Sequence, residues 1–258
     1  MRHAKVEYQG RVRTVTIGPD DLPISDDGAV LDVTALRWLP ASGGTMFGVA
    51  LNYRSLLEAR LPEFHQPPYQ KPPEKPVLFI KTPNTRNAHQ GTVARPQGER
   101  LQPGPALGVV IGRRASRVSE QDALDYVRGY TVVNEFSLPE DSYYRPAIKA
   151  KCRDGFCALG PWWVDRDDIA NPHDLTLTLT VNGVEKQRGS TADLIRPIPR
   201  LIAELSEFMT LNEGDVLITG TPPGRVDVSE GDQVDTTIES IGTLRNLIVT
   251  DHGGEAKQ

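Results

Sequence analysis

Cysteine is scarce in this chain of 258 residues: Cys152 and Cys157 are its only two, and four residues separate them. They lack the Cys-x-x-Cys spacing of metal and redox motifs and read as two reduced thiols of a cytoplasmic protein. The five histidines, His3, His65, His89, His173 and His252, are scattered and make no His-based metal motif. No stretch approaches the apolar length that spans a bilayer, and residues 1–7 have no apolar run to serve as a signal peptide. Nor is positive charge in excess. The 29 Lys and Arg against 34 Asp and Glu leave a net charge of −5, which favours solubility. Neither a nucleic acid nor a membrane is therefore expected as a partner.

What is present suits a folded globular chain, with 38% hydrophobic and 24% charged residues. The 23 glycines and 21 prolines favour many turns and short strands. Residues 1 to about 40 read as a small β unit. In it Gln9-Gly10 turns Val6-Glu7-Tyr8 back onto the alternating segment 11–17, and the apolar segment 29–33 follows a polar turn at 25–28. Residues 39–44 read as a linker. Buried strands are expected at 45–51, 77–80, 107–112, 129–135 and 216–218. The strictly alternating 175–181 predicts a half-buried strand closed by the hairpin signal Asn182-Gly183. Residues 61–76 hold six prolines and read as a long surface loop, of a kind that often acts as a lid. Ser119, with Asp122 three residues on, opens a short helix. The clearest helix starts near Pro197, where Ile198, Leu201, Ile202, Leu205, Phe208 and Met209 share one face. Several strands then finish the chain before a polar tail at His252-Gly253-Gly254. The sum is a β-rich α+β protein with few helices.

One stretch stands out, at residues 143–155. Read as a strand, it points Lys149, Lys151 and Arg153 the same way. Three stacked cations repel unless anions or water relieve them. They make either a solvated edge strand or the wall of a pocket for a small molecule with more than one carboxylate. On charge alone the edge strand is the stronger reading.

The surrounding segments change that. Gly48-Val49-Ala50-Leu51-Asn52-Tyr53, Phe79-Ile80-Lys81-Thr82-Pro83-Asn84-Thr85 and Gly129-Tyr130-Thr131-Val132-Val133-Asn134 come first. Lys151-Cys152-Arg153-Asp154-Gly155, the segment 205–211 and Thr219-Gly220-Thr221-Pro222 follow. In number and order they resemble the fumarylacetoacetate hydrolase family, over roughly residues 45–250. Ser137-Leu138-Pro139-Glu140 and residues 143–156 are similar to a branch of that family that isomerises and decarboxylates small acids. Its members occur as fused homologous halves or as two chains, and this chain is similar to the amino-terminal half. The resemblance implies a mixed β-sandwich roll, with 1–44 a small amino-terminal β region and linker and 45–258 the family domain. It also implies a dicarboxylate or tricarboxylate substrate, which suits Lys149, Lys151 and Arg153. The implied partner is a homologous subunit or a second copy of the chain.

The family binds a divalent metal through Glu-x-Glu on one strand and a third acid on another. Period two puts both carboxylates on one face, and hard oxygen ligands suit Mg²⁺ or Mn²⁺. Counting back from Ile111-Gly112 places those two positions on Gly104 and Ala106, and the third acid at Glu135. One carboxylate is a poor site for Mg²⁺, so no family-type metal is expected in this chain. Mg²⁺ or Mn²⁺ is expected instead in a metal-bearing homologous partner. Leu56 stands where family members often carry a proton-transferring histidine, and His65 is poorly placed to replace it.

Lys81, Lys151 and Thr221 survive at family pocket positions. Lys151 is expected as the catalytic electrophile, with Lys81, Lys149, Arg153 and Thr221 binding substrate. Each survivor also has a structural reading: a strand-end charge for Lys81, an ion pair with Glu135 or Asp154 for Lys151, and a turn for Thr221. Two other functions stay open, a non-catalytic partner of a metal-bearing homologue and an acylpyruvate-type hydrolase. The hydrolase is disfavoured because family hydrolysis depends on the metal and proton-transfer groups missing here.

Overall fold

Alternating and continuous apolar runs sort this chain into strands that bury one face and strands that bury two. The computed structural model describes residues 1–140 and 142–251. The tail expected at His252-Gly253-Gly254 lies outside the described residues. At the amino terminus β1 (Arg2–Tyr8) and β2 (Arg11–Ile17) form the expected hairpin, with Gln9 and Gly10 at positive φ in its turn. Two short strands follow, β3 (Pro23–Ile24) and β4 (Leu36–Trp38). The apolar segment 29–33 adds no strand: it meets β3 only through one bridge between Ile24 and Val30, and Val30 and Val33 are exposed. Asp32 there accepts from the Thr34 N–H (2.9 Å), a local turn that competes with pairing.

Next come β5 (Met46–Ala50), β6 (Val77–Lys81), β7 (Arg86–Asn87), β8 (Thr92–Arg95), β9 (Pro105–Ile111), β10 (Val127–Glu135) and β11 (Cys157–Asp165). The chain closes with β12 (Thr176–Val181), β13 (Val184–Ser190), β14 (Val216–Ile218), β15 (Gln233–Ile238) and β16 (Gly242–Thr250). One mixed sheet runs β3-β2-β1-β11-β10-β9-β14-β5-β6, with β4 on β1 and β7 on β11. The second runs β13-β12-β15-β16-β8 and packs across β9, β10 and β11. That cover is why β9 is buried along its whole length and β10 and β11 nearly so. Leu107, Val109, Val132 and Trp162 of the first sheet share a core with Leu177, Ile238 and Leu244 of the second. Ala4, Val6, Val15, Ile17 and Trp38 join the same core, since β1 pairs with β11. The linker-like segment is held as well, its Ser42 hydroxyl donating to the Gly214 carbonyl. β12 alternates as expected, and Asn182 and Gly183, both at positive φ, turn it into β13.

Three α-helices occur among the described residues: α1 (Arg54–Phe64), α2 (Ile148–Lys151) and α3 (Ile198–Phe208). In α3, Ile198, Leu201, Ile202 and Leu205 are buried as expected, but Phe208 lies at the margin of the stripe and is 66% exposed. Ser119 does accept from the Asp122 N–H (3.2 Å), yet the segment continues only as a 3-10 turn at Ala123–Tyr126. No apolar stripe announces α1, which carries Pro62 and buries only Phe64. It is pinned instead by the Asp193 carboxylate, which accepts from the Ser55 N–H (3.2 Å). It also takes the start of the expected 61–76 loop. The largest departure is α2, because residues 148–151 are helical where a strand was expected. The Lys151 N–H donates to the Ala147 carbonyl (2.9 Å) and the Cys152 N–H to that of Ile148 (2.9 Å). On a helical turn, residues two apart point to opposite sides, so Lys149 and Lys151 cannot share a face.

His89 gives this fold a pH sensitivity. It is half-buried against Trp38, and its Nδ1 accepts from the Arg245 N–H (3.1 Å). Burial first, and the Arg245 guanidinium second, push its pKa down from 6.5 to about 4. A histidine whose folded-state pKa is lowered contributes stability above its unfolded pKa and loses it as pH falls through the folded value. Urea midpoints of the native chain should therefore fall between about pH 6.5 and about pH 4. That fall should be shallower in His89→Gln, and equal slopes in the two proteins would contradict the assignment.

Candidate functional site

Four separate pieces of chain end at one point beside α1. β10 delivers Glu135, β6 delivers Lys81, α2 delivers Lys151, and the loop after β14 delivers Thr221 and Arg225. Glu135 is 1% exposed at the end of a strand buried on both faces. Lys81 Nζ lies 2.6 Å from its Oε1, Lys151 Nζ lies 3.0 Å from its Oε2, and the Arg225 Nη2 donates to the same Oε2. Burial works against the charge on Glu135. Lys151, Lys81 and Arg225, in that order, outweigh it and hold the carboxyl well below its ordinary pKa.

The three cations are not equivalent. Lys81 is 1% exposed and donates to the carbonyls of Phe136 (2.6 Å), Lys151 (2.7 Å) and Phe156 (3.0 Å) besides Glu135. Burial pulls its ammonium towards the neutral form, and Glu135 opposes that. With every proton committed and no share in the cleft wall, Lys81 is a strut that ties β6 to β10 and α2. Lys151 faces the cleft, with Nζ 2.9 Å from Glu140 Oε2 and 4.5 Å from the centre of the Phe79 ring. Phe79 lies over Gly48 of the neighbouring strand, where a Cβ would meet the ring at 2.0 Å. Arg225 is seated by carbonyls: its Nη1 donates to Glu135 (3.0 Å), Gln102 (3.2 Å) and Pro103 (3.4 Å), and its Nη2 to Thr221 Oγ1 (3.3 Å).

The cleft these groups wall holds about 200 Å³ and is also lined by Leu56, Arg60, Glu140, Tyr143 and Pro222. Arg60 donates to the Tyr143 hydroxyl (2.6 Å), and burial raises the pKa of that phenol. Of the residues singled out in the sequence, Lys151 and Thr221 line the cleft, and Lys81 lies directly behind it. Lys149 and Arg153 do not reach it. Lys149 is exposed and points towards Glu99 (3.9 Å) across a different groove, while Arg153 donates back to the Lys149 carbonyl (3.2 Å). His65 is exposed at the end of α1 and lines no part of the cleft. Arg225, Arg60 and Glu140 were missed as site residues. Nothing in the spacing marks Arg60, but Arg225 follows the Thr-Gly-Thr-Pro-Pro-Gly turn by one residue, which is a usable signal.

A divalent ion of the family type does not fit these residues. Gly104 and Ala106 offer no side-chain oxygen, and both oxygens of Glu135 already accept from cations. Among the described residues no cluster of His, Cys, Asp or Glu could hold a metal ion. The space itself is taken. A Cβ at Gly104 would sit 2.6 Å from Arg225 Nη2 and 2.7 Å from its Cζ.

Residues 45–249 match the family model described as fumarylacetoacetate (FAA) hydrolase, C-terminal. The chain is 44% identical over 255 residues to the 4-hydroxyphenylacetate degradation bifunctional isomerase/decarboxylase of Escherichia coli, covering 96% of this chain and 58% of that protein. The chain thus spans little more than half the length of that relative. The crystal structure of 5-carboxymethyl-2-hydroxymuconate delta-isomerase from Mycobacterium smegmatis superposes with a TM-score of 0.82 at 31% identity, covering 97% of this chain and 99% of that one. The 2-hydroxyhepta-2,4-diene-1,7-dioate isomerase from Mycobacterium marinum gives 0.83 at 28% identity, covering 98% and 99%. The mixed sheets and few helices are those of this group.

Removing the central anion should cost more than any other single change at the site. Glu135→Gln leaves three cations facing one another in the interior, and the expected loss is about 3–5 kcal/mol of unfolding free energy. Urea denaturation at neutral pH measures it. A loss below about 1 kcal/mol, the worth of an exposed pair, would contradict this account of the site.

Proposed function

The chain belongs to the fumarylacetoacetate hydrolase family, and from that premise we propose that it is an isomerase/decarboxylase chain of homoprotocatechuate (4-hydroxyphenylacetate) breakdown, working beside a homologous subunit. The observation that carries this reading is the Lys151 ammonium, held between Glu135 and Glu140 in the wall of the cleft. Decarboxylation of 5-oxopent-3-ene-1,2,5-tricarboxylate breaks the bond to the 2-carboxylate. Carbon dioxide leaves, the electron pair runs through the alkene to the 5-oxo oxygen, and that oxygen takes a proton to give 2-hydroxyhepta-2,4-dienedioate. Isomerisation of this dienol removes the hydroxyl proton and adds one at the far carbon of the diene. Both steps gather negative charge on an oxygen next to a carboxylate. Lys151 is the electrophile that holds that oxygen, and Glu140, 2.9 Å from it, receives and returns the proton. Thr221 offers its hydroxyl to a substrate oxygen in the same wall. A homologous subunit would supply Mg²⁺- or Mn²⁺-dependent chemistry that this chain's residues do not fit.

A second reading, a non-catalytic partner that stabilises such a subunit, is favoured by one observation: every oxygen of Glu135 is already paired. Lys151→Ala separates the two. A spectrophotometric assay of the chain on 2-hydroxyhepta-2,4-dienedioate, with Mg²⁺ and then with EDTA, should show turnover that ignores EDTA. In Lys151→Ala it should fall by about 100-fold or more. Unchanged turnover in the variant, or its abolition by EDTA in the native chain, would overturn the proposal.

A further inference from the structure

We propose that Arg225 is the resident cation of this cleft, taking the place of a divalent ion and binding the carboxylate end of a small 2-oxo acid directly. The class of anion rests on the functional reading above, whereas the placement of the guanidinium rests on geometry alone.

The guanidinium is built in rather than draped over the surface. Three main-chain carbonyls hold Nη1, and the Glu135 carboxylate with the Thr221 hydroxyl holds Nη2. Its Nε–H has no acceptor among the described residues, so one donor of the fork remains for a ligand. Arg225 also reaches the cleft, its side chain 21% exposed, whereas Lys81 on the far side of Glu135 is sealed at 0%. A guanidinium stays charged at any working pH, and the free Nε–H can donate one charge-assisted hydrogen bond to a carboxylate.

Space makes the substitution exclusive. Position 104 has room for glycine only while Arg225 keeps this pose, because a Cβ there would lie 2.6–2.8 Å from three guanidinium atoms. Gly104 is fixed in turn, its N–H donating to Asn134 Oδ1 (2.9 Å) and its carbonyl accepting from the Glu135 N–H (2.8 Å). A carboxylate at 104 and a guanidinium held in this pose at 225 are therefore alternatives, one recruiting a mobile metal and the other supplying a tethered cation. Charge agrees with this. Among the described residues the lining carries Arg60, Lys151 and Arg225 against Glu135 and Glu140, with Lys81 behind, so this lining is net positive with both carboxylates ionised.

The test uses oxalate, a planar stand-in for a 2-oxo carboxylate, titrated calorimetrically into the whole chain in EDTA. The native chain should bind it, and Arg225→Gln should weaken binding at least about tenfold, the worth of one charged hydrogen bond. Arg225→Lys should recover part of the loss, and circular dichroism should show all three proteins folded. A folded Arg225→Gln that binds oxalate as the native chain does, or a native chain that binds none in EDTA, overturns the proposal. The second arm reads Mn²⁺ by electron paramagnetic resonance, without substrate. The native chain and Gly104→Glu/Ala106→Glu should leave the free-ion spectrum intact, and adding Arg225→Gln to that pair should quench it. Uptake of Mn²⁺ by the native chain counts against the proposal, as does a triple variant that takes up no more than the double. Oxalate bound through Arg225 by a chain that turns over neither proposed substrate would remove the substrate assignment and leave Arg225 in place.

Discussion

A buried carboxylate with three cations around it is the constraint on which this site depends. Glu135 stands at the end of β10, where covering strands leave no water to solvate it. An unpaired charge there would cost several kcal/mol, and Lys81 or Lys151 alone would face the same penalty. The four groups are stable only together. This is why four distant segments, the ends of β6 and β10, the turn α2 and the loop after β14, must arrive in register before any of them is satisfied. The two sheets bring that register about, and α1 with Glu140 and Tyr143 closes the cleft around it.

Within that cluster the labour is divided by access to the cleft. Lys81 has its protons committed to carbonyls and to Glu135, so it fixes geometry. Lys151 and Arg225 share Glu135 and line the cleft, Arg225 the more openly at 21% exposed against 3%, so the same anion that neutralises them also aims them. Val49, Leu51, Leu56, Phe79 and Pro222 give the wall its apolar part. The result is a cleft of about 200 Å³, net positive in its described lining and sized for a small anion.

Much of the fold is legible in the sequence because burial on one or two faces writes itself as alternation or as a continuous apolar run. β12 with its Asn182-Gly183 turn, the all-buried β9 and the stripe of α3 are read directly. The misses share a cause: tertiary partners overrode local pattern. Residues 148–151 alternate charge as a strand would, but the pull of Glu135 and Glu140 on Lys151 is better met by a helical turn. α1 has no stripe because its anchors are Tyr53, Asp193 and Phe64 rather than a face. Of the site, Lys151, Thr221 and the unsuitability of positions 104 and 106 were visible from resemblance. Lys149 and Arg153 were wrongly grouped with Lys151, since that grouping required a strand. Arg225 was invisible as a partner of Gly104 because no periodicity links residues so far apart.

The central claim is that this cluster is complete with protein charges alone. Anomalous diffraction from crystals of the chain soaked in Mn²⁺ tests it most directly, at the manganese absorption edge. The account predicts no anomalous peak beside Glu135 and a guanidinium packed against Gly104 in its place. A manganese peak bridging Glu135, with Arg225 swung out of the cleft, would contradict it.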